Sequence, residues 1–586
     1  MTGFRTTLAI IWRLAIPYFR DSEDRVAGRI LLATVIVLEL GAVAINVLIN
    51  QWNARFYNAL QERAWDTFTR ELMVFCVLAG SFVVLRVYQL YLNQWLQIRW
   101  RRFMTTRYLG QWLHDGTHYR MQLLGDAADN PDQRIAEDVK HFIDSGANVG
   151  ILPIGLGLLN AIVSLASFVV ILWGLSNEAP LTLLGWTIPG YLVWAALIYA
   201  IAGTLFTHLI GRPLTVLNFN QQRYEADFRF NLVRTRENSE QIALLDGDNA
   251  ERERLLDRFS AVVTNWLRIM KRTKQLTFLT ASYNQASVVF PFILVSPAYF
   301  AGRLQLGGLT QTASAFNSVQ EALSFFINVY RYFAEWRAVI ERLAGFEASI
   351  AQAHAIRQAA PAIEIAATSA GQIALDKLDV ALPNGKPQVA ADGITFAPGE
   401  QVLLTGPSGS GKSTLFRAIS GIWPFGKGKV SLPPDAKVMI LPQRPYLPIG
   451  TLAAAVSYPA VAGTFPPERI AELLVAVGLP ALAGRLDEDA HWGRMLSVGE
   501  QQRIAIARAI LQAPDYLLLD EASAALDEAS EAALYTLLQQ RLPNATVVSI
   551  GHRSTLAAFH KRRLTLAPEG KRYVVKEAAL TPATAG

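Results

Sequence analysis

A single cysteine, Cys76, stands in 586 residues. That scarcity excludes an internal disulfide framework, a CxxC redox pair and a cysteine-built zinc site. Charge is scarce too: Asp, Glu, Lys and Arg make up 17% of the chain, against roughly 25% in soluble proteins. Apolar residues take their place, at 52% with a mean hydropathy of +0.23. That balance excludes both disorder and an ordinary soluble protein. The formal charge of +6 is not a nucleic-acid footprint, because the basic residues fall between hydrophobic stretches rather than on one soluble patch.

Six stretches, near 29–49, 70–94, 147–174, 183–210, 277–302 and 309–332, are apolar enough to cross a ~30 Å hydrocarbon core, which takes about 20 helical residues. Residues 4–19 are too short and too charged to span, and suit an interfacial helix with Trp12, Tyr18 and Phe19 at headgroup depth. Arginines before the first stretch (Arg5, Arg13, Arg20, Arg25, Arg29), after the second (Arg99, Arg101, Arg102, Arg107) and across 212–275 place those segments in the cytoplasm. Six spans with both termini cytoplasmic fit best. The two basic connections are long and lack breakers, so the spanning helices should run on below the membrane as hairpins that turn near 130–138 and 244–254.

Polar residues inside the stretches repeat at helical spacing: Glu39, Asn46, Asn50 and Asn53; Arg86, Gln89, Asn93 and Gln97; Thr277, Thr280, Asn284 and Ser287; Gln311, Ser314, Ser318, Glu321 and Asn328. An ionisable group at mid-bilayer must face protein or water. Two readings stay open. The stripes are interhelical glue, with Glu39 paired to Arg86, or Glu39, Arg86, Asn284 and Glu321 line a shared water-filled cavity suited to hydrophilic, cationic cargo. Four stripes together favour the cavity.

The expected organisation is an interfacial segment (1–28), a six-span domain (29–345), an Ala-rich linker (346–371), an α/β domain (372–570) and a tail (571–586). The α/β half carries the strongest chemistry. A β-rich run leads into Gly406, Pro407, Ser408, Gly409, Ser410, Gly411, Lys412, Ser413 and Thr414, then into a helical stretch. This is the G-x-x-x-x-G-K-[ST] phosphate loop in its strand–loop–helix setting. Its backbone N–H groups and helix terminus cradle the phosphates of ATP, Lys412 reaches the β and γ phosphates, and Ser413 ligates Mg²⁺. The apolar run 516–519 ends in Asp520, at the metal position, and Glu521, placed as general base for the attacking water.

Between these motifs lies Leu496-Ser497-Val498-Gly499-Glu500-Gln501, followed by a basic helix. Here the chain resembles the ABC ATPases and their LSGGQ signature, with Val498 and Glu500 as departures. Gln443 matches the family's Q-loop, Ser523 to Asp527 its D-loop and His552 its switch histidine. No aromatic residue stands at Ala381, Leu382 or Pro383, where many members stack one on adenine. The resemblance implies a head-to-tail homodimer in which Ser497, Gly499, Glu500 and Asp527 meet the ATP held by the partner copy. Gln443 would join Ser413 and Asp520 at Mg²⁺, and Gln443 and His552 would act with Glu521 in hydrolysis. The implied fold class is an ABC-exporter-like six-span helical membrane domain with long cytoplasmic hairpins, fused to an α/β P-loop ATPase domain.

The run Asn50-Gln-Trp52-Asn53-Ala-Arg55-Phe56-Tyr57-Asn58-Ala59-Leu60-Gln61, with NPDQRI at 130–135, resembles the SbmA/BacA peptide-uptake proteins and a related bacterial branch with a fused ATPase. PQRPYLPIGTL, at 442–452, is similar to a stretch of the peroxisomal fatty-acyl-CoA ABC transporters. The resemblance implies a multi-pass half-transporter of the bacterial inner membrane, among membrane lipids and with its ATPase domain cytoplasmic. Its implied work is ATP-driven import of hydrophilic, cationic peptides or peptide-like antibiotics. A transporter of fatty acyl or lipid substrates is the alternative, and an ATP-gated channel or sensor is the alternative of another class.

Overall fold

The computed structural model describes residues 4–125, 130–146, 149–183, 186–358, 362–368 and 371–579. The chain forms two compact units: Met1–Tyr108 with Pro131–Gly345, and Leu109–Asn130 with Phe346–Gly586.

The first unit is helical. α1 (Phe4–Arg20) precedes α2 (Arg25–Gln61) and α3 (Trp65–Leu113), followed by α4 (Ile151–Glu178), α5 (Tyr191–Glu237), α6 (Asp248–Phe300) and α7 (Leu306–Gln358). At 1.5 Å per residue, α3, α6 and α7 are about 70–80 Å long, more than twice a ~30 Å hydrocarbon core. Among the described residues, five helices are long and apolar enough to cross a membrane. The sixth expected span, 309–332, lies wholly within α7 but outside that group of five. Its polar stripe from Gln311 to Glu321 explains the lower hydropathy. Phe168 and Leu172 of α4, Leu192 of α5, Val295 of α6 and Phe316 and Val319 of α7 share one buried core.

The NQWNARFYNALQ run ties α2 to the start of α7. Asn50 Nδ2 donates to the Gln311 carbonyl at 3.1 Å, and Gln311 Nε2 returns a bond to Asn50 Oδ1 at 3.2 Å. The amides of Leu306 and Gly307, otherwise orphaned at a helix N-terminus, donate to Gln61 Oε1 at 2.6 Å and Asn58 Oδ1 at 2.7 Å. Gly307 is required by this closeness, because a Cβ there would collide with the Ala54 carbonyl. Trp52 and Arg55 hold α3 through the Glu71 carbonyl and carboxylate at 2.8 and 3.0 Å.

The second unit is built on one sheet of eleven described strands: β1 (Ile363–Ala367), β2 (Ile373–Ala381), β3 (Pro387–Ala391), β4 (Ile394–Phe396), β5 (Gln401–Thr405), β6 (Gly426–Leu432), β7 (Val438–Leu441), β8 (Tyr516–Asp520), β9 (Thr546–Ile550), β10 (Arg562–Glu569) and β11 (Arg572–Ala578). The order is β1-β6-β2-β3-β11-β10-β5-β9-β8-β7, with β4 beside β2. The strands β5, β9, β8 and β7 run parallel, and their apolar sequences follow from burial on both faces. Residues 346–371, read as linker, comprise the end of α7 and strand β1, which pairs with β6. The short helix Thr117–Leu123 belongs to this unit: Tyr119 and Leu123 pack on the sheet core, and Arg120 Nε donates to the Ala353 carbonyl at 3.1 Å. Of the turn region 130–138, residues 131–138 belong to the first unit, where Arg342 grips Asp138 at 2.6 and 2.9 Å beside Arg134.

Candidate functional site

In an open parallel sheet, chemistry collects outside the carboxyl ends of the strands. Four adjacent strands end here in named residues: β5 in the loop from Gly406, β9 in His552, β8 in Asp520 and Glu521, and β7 in Gln443. These motifs lie up to about 150 residues apart in sequence and meet at one sheet edge.

The phosphate loop needs its glycines. Gly406, Gly409 and Gly411 have φ of 155°, 75° and 93°, and a Cβ on Gly411 would crowd Gln388 and Val389. Gly411 is the N-cap of α8 (Lys412–Ile419), so the loop opens onto a helix N-terminus. Lys412 Nζ donates to the carbonyls of Gly406 and Pro407 at 2.9 and 3.0 Å. Burial pulls this ammonium below its ordinary pKa, while Glu521 and Asp520 act in the opposite direction. Among the described residues, the fully buried Ser410 hydroxyl has no hydrogen-bond partner. A loop with an orphaned donor and a cationic tip, at a helix N-terminus, fits an anion.

Ser413 Oγ donates to Asp520 Oδ1 at 2.9 Å. Burial raises the Asp520 carboxyl above its ordinary pKa, as low dielectric penalises its charge. A hydroxyl and a carboxylate in contact, with the Gln443 amide on the next strand end, form the hard oxygen set that Mg²⁺ takes. Glu521 is met from two sides: Gln443 Nε2 donates to its Oε2 at 3.2 Å, and His552 Nε2 stands 3.3 Å from its Oε1. Its backbone is in the left-handed region at φ 51°, an unfavourable conformation for a non-glycine residue. The side chain on that backbone is 28% exposed.

The other expected residues make local contacts. Ser497 caps α9 (Val498–Gln512) in a capping box, accepting from the Glu500 amide at 3.3 Å while Glu500 Oε2 accepts from the Ser497 amide at 2.8 Å. Glu500, a departure from the signature, thus has a local task in this copy. Gly499 lies against Leu526 and Ala525, where a Cβ would come within 3.3 Å of the Leu526 side chain and 3.4 Å of the Ala525 carbonyl. Asp527 caps α10 (Glu528–Arg541), accepting from the Ser530 amide and hydroxyl at 2.8 Å each, which lowers its carboxyl pKa. Among the described residues, no hydrogen bond or ion pair joins Ser497, Gly499, Glu500 or Asp527 to the phosphate loop of the same copy.

Sequence reasoning missed Gln502 and Arg553. Gln502 is fully buried; its Nε2 donates to the Gln443 carbonyl at 3.0 Å and its Oε1 accepts from the Ala525 amide at 3.1 Å. Arg553, next to His552, donates to the Leu526 carbonyl at 2.7 Å. Both lock the loops around Glu521. The signal for Gln502 was an amide on the apolar face of its helix. Near Ala381, Leu382 and Pro383 lies a cleft of about 460 Å³ whose lining includes one aromatic ring, Phe425.

In the membrane unit, Glu39 is buried and joined by Arg86 at 3.4 Å, by Gln89 and by Asn160 of α4. The structure thus brings Glu39 and Arg86 together as an interhelical cluster. Asn284 and Glu321 are exposed and make no side-chain contact with that cluster among the described residues. The side chain of Asn328 lies outside the described residues.

Two family models match the chain: ABC transporter transmembrane region 2 over residues 14–300, and ABC transporter over residues 391–524. An inner membrane ABC transporter ATP-binding protein of Escherichia coli, YddA, is 34% identical over 89% of this chain and 91% of its own. The chloroplastic ABC transporter D family member 2 of Arabidopsis thaliana is 33% identical over 95% of this chain and 85% of its own. The solved structure of a bacterial Atm1-family ABC exporter with ATP bound superposes with a TM-score of 0.67 at 18% identity, over 93% of this chain and 94% of that one. That likeness shows the fold.

Proposed function

We propose that this chain, which belongs to the ABC transporter family, works as a homodimer that moves a hydrophilic, cationic peptide-like cargo across the bacterial inner membrane. Hydrolysis of ATP coupled to membrane transport comes with the family membership. The convergence of Gln443 and His552 on Glu521, beside the Ser413–Asp520 pair, supports the residue roles. In this reading, the phosphate loop with Lys412, Ser408, Ser410 and Thr414 binds the triphosphate, and Ser413, Asp520 and Gln443 hold Mg²⁺. Bound Mg²⁺ would neutralise charge on the phosphates. Glu521 accepts the proton of the attacking water, with His552 and Gln443 fixing its carboxylate.

Among the described residues, Ser497, Gly499, Glu500 and Asp527 make no hydrogen bond or ion pair with their own phosphate loop, which supports their assignment to the nucleotide of a second copy. Helix Thr117–Leu123, seated on the sheet core, would carry the nucleotide state to α3. The cargo reading rests on Glu321 and Asn284. Both are exposed on helices read as membrane-crossing, where an ionisable group does not face lipid, so they would face a wet passage or the second copy.

Reconstitution in proteoliposomes tests the whole. ATP-dependent accumulation of a cationic peptide against its gradient, abolished by Glu521→Gln, is the expected result. Glu321→Ala should reduce that accumulation several-fold and leave basal hydrolysis intact. Stimulation of hydrolysis by acyl-CoA and not by peptide would instead establish the lipid-cargo reading, and flux without accumulation would establish a gated channel.

A further inference from the structure

Between α1, α2 and α4 the membrane unit holds a groove of about 710 Å³. Its walls are apolar, formed by Trp12 and Ile16, Leu32 and Ile36, and Leu156 and Leu159. Two guanidinium groups, Arg20 and Arg29, also line it. Arg29 Nε donates to the Phe19 carbonyl at 2.9 Å, which fixes the side chain across the α1–α2 turn, and no carboxylate pairs with it among the described residues. Among the described residues Arg20 pairs with Asp21 alone, at 3.7 Å, and both side chains are largely exposed, so that pair is weak. Trp100 also lines the groove; it is 1% exposed, yet its indole N–H has no hydrogen-bond partner among the described residues.

The groove is built into the fold. Tyr18 stacks on Trp100 at 5.5 Å and fits so tightly over Gly28 that a Cβ there would crowd its ring, which seats α1 firmly on α2. The surrounding arginines place this end of the helices at the cytoplasmic leaflet, where anionic headgroups concentrate. An acyl chain satisfies the apolar walls, and a phosphodiester satisfies two guanidiniums, one weakly paired and one without a carboxylate among the described residues. A peptide would leave those walls unmatched, and a zwitterionic headgroup would bring a second cation towards the arginines.

We propose that this groove is a resident site for one anionic phospholipid, its acyl chain against Ile16, Leu32, Ile36 and Leu156 and its phosphate on Arg20 and Arg29. The full chain, extracted from membranes with equal phosphatidylglycerol and phosphatidylcholine, is weighed intact by native mass spectrometry. Retention of one phosphatidylglycerol is expected, at roughly tenfold preference, since each basic group near an anionic headgroup contributes a favourable increment. The double variant Arg20→Gln/Arg29→Gln should retain both lipids equally. Gly155→Leu fills the groove from α4, where an added Cβ meets no atom within 4 Å, and should shed the lipid while the protein stays monodisperse. Equal retention of the two lipids by the unaltered protein, or undiminished phosphatidylglycerol on Gly155→Leu, overturns the proposal.

Discussion

Two glutamates organise the two units. Glu521 is met by an amide and a histidine from neighbouring strand ends, and Glu39 by two amides and an arginine from neighbouring helices. Their surroundings separate them. The Glu521 side chain is 28% exposed, on strained backbone and beside an anion-shaped loop, whereas that of Glu39 is 7% exposed on an unstrained helix. A carboxylate within reach of water can take a proton and pass it on. A carboxylate sealed among donors can only hold those donors in place, so the same set of partners serves reaction in one unit and assembly in the other.

Removing the cation beside Glu521 is the harshest way to break this contrast. Lys412→Ala should lower the ATP hydrolysis rate by about 10²–10³-fold, because a preorganised charge at the reacting phosphates is lost. A steady-state phosphate-release assay on the purified protein checks it. The unfolding temperature should hardly move, since among the described residues the Lys412 ammonium bonds only to its own loop.

Glu39→Ala should behave the opposite way. It strands a partly exposed arginine and two amides, costing about 1–3 kcal/mol, below the 3–5 kcal/mol of a fully buried pair because Arg86 reaches solvent. Thermal unfolding in detergent reads the loss, and Glu39→Gln should recover part of it by keeping the hydrogen bonds. Hydrolysis per folded molecule should be unchanged; a large drop would make Glu39 part of the working cycle.

A smaller effect distinguishes His552 from His560, both in the ATPase unit. His552 is exposed beside Glu521, whereas His560 is buried between the Leu556 carbonyl at 2.7 Å and Ser549 Oγ at 2.9 Å. Burial lowers the His560 pKa below 6.5, so the unfolded chain takes up its proton first as pH falls. Its contribution to stability is therefore complete above about pH 6.5 and is lost on acidification towards the lower folded pKa. Unfolding temperatures between pH 7.5 and 5.5 should fall less steeply for His560→Gln than for the unaltered protein.

The phosphate loop, Asp520 and Glu521 were legible because they are announced by their immediate neighbours, a β-rich run before and a glycine turn or acidic pair at its end, whereas Gln443 and His552 were named only by the resemblance to the ABC ATPases. Gln502 and Arg553 were not legible, since they act through the backbone of loops more than 20 residues away in sequence. Periodicity found the long helices and the stripe containing Glu39 and Arg86. Whether that stripe faces water or a neighbouring helix depends on rotation about the helix axis, which Asn160 of α4 decides. The NQWNARFYNALQ run pointed to a protein family, and its contacts explain it as fastening: Asn58 and Gln61 act on amides some 245 residues downstream.

That separation also governs how the protein is made. At about 5–20 residues per second, a ribosome needs roughly 12–50 s to travel from Gln61 to Leu306. During that interval Asn50, Asn58 and Gln61 have already emerged and lack their eventual partners. The newborn bundle must be sheltered by insertion machinery or tolerate a wet seam until its last membrane helix arrives, and early termination before residue 306 should yield an open, protease-sensitive intermediate.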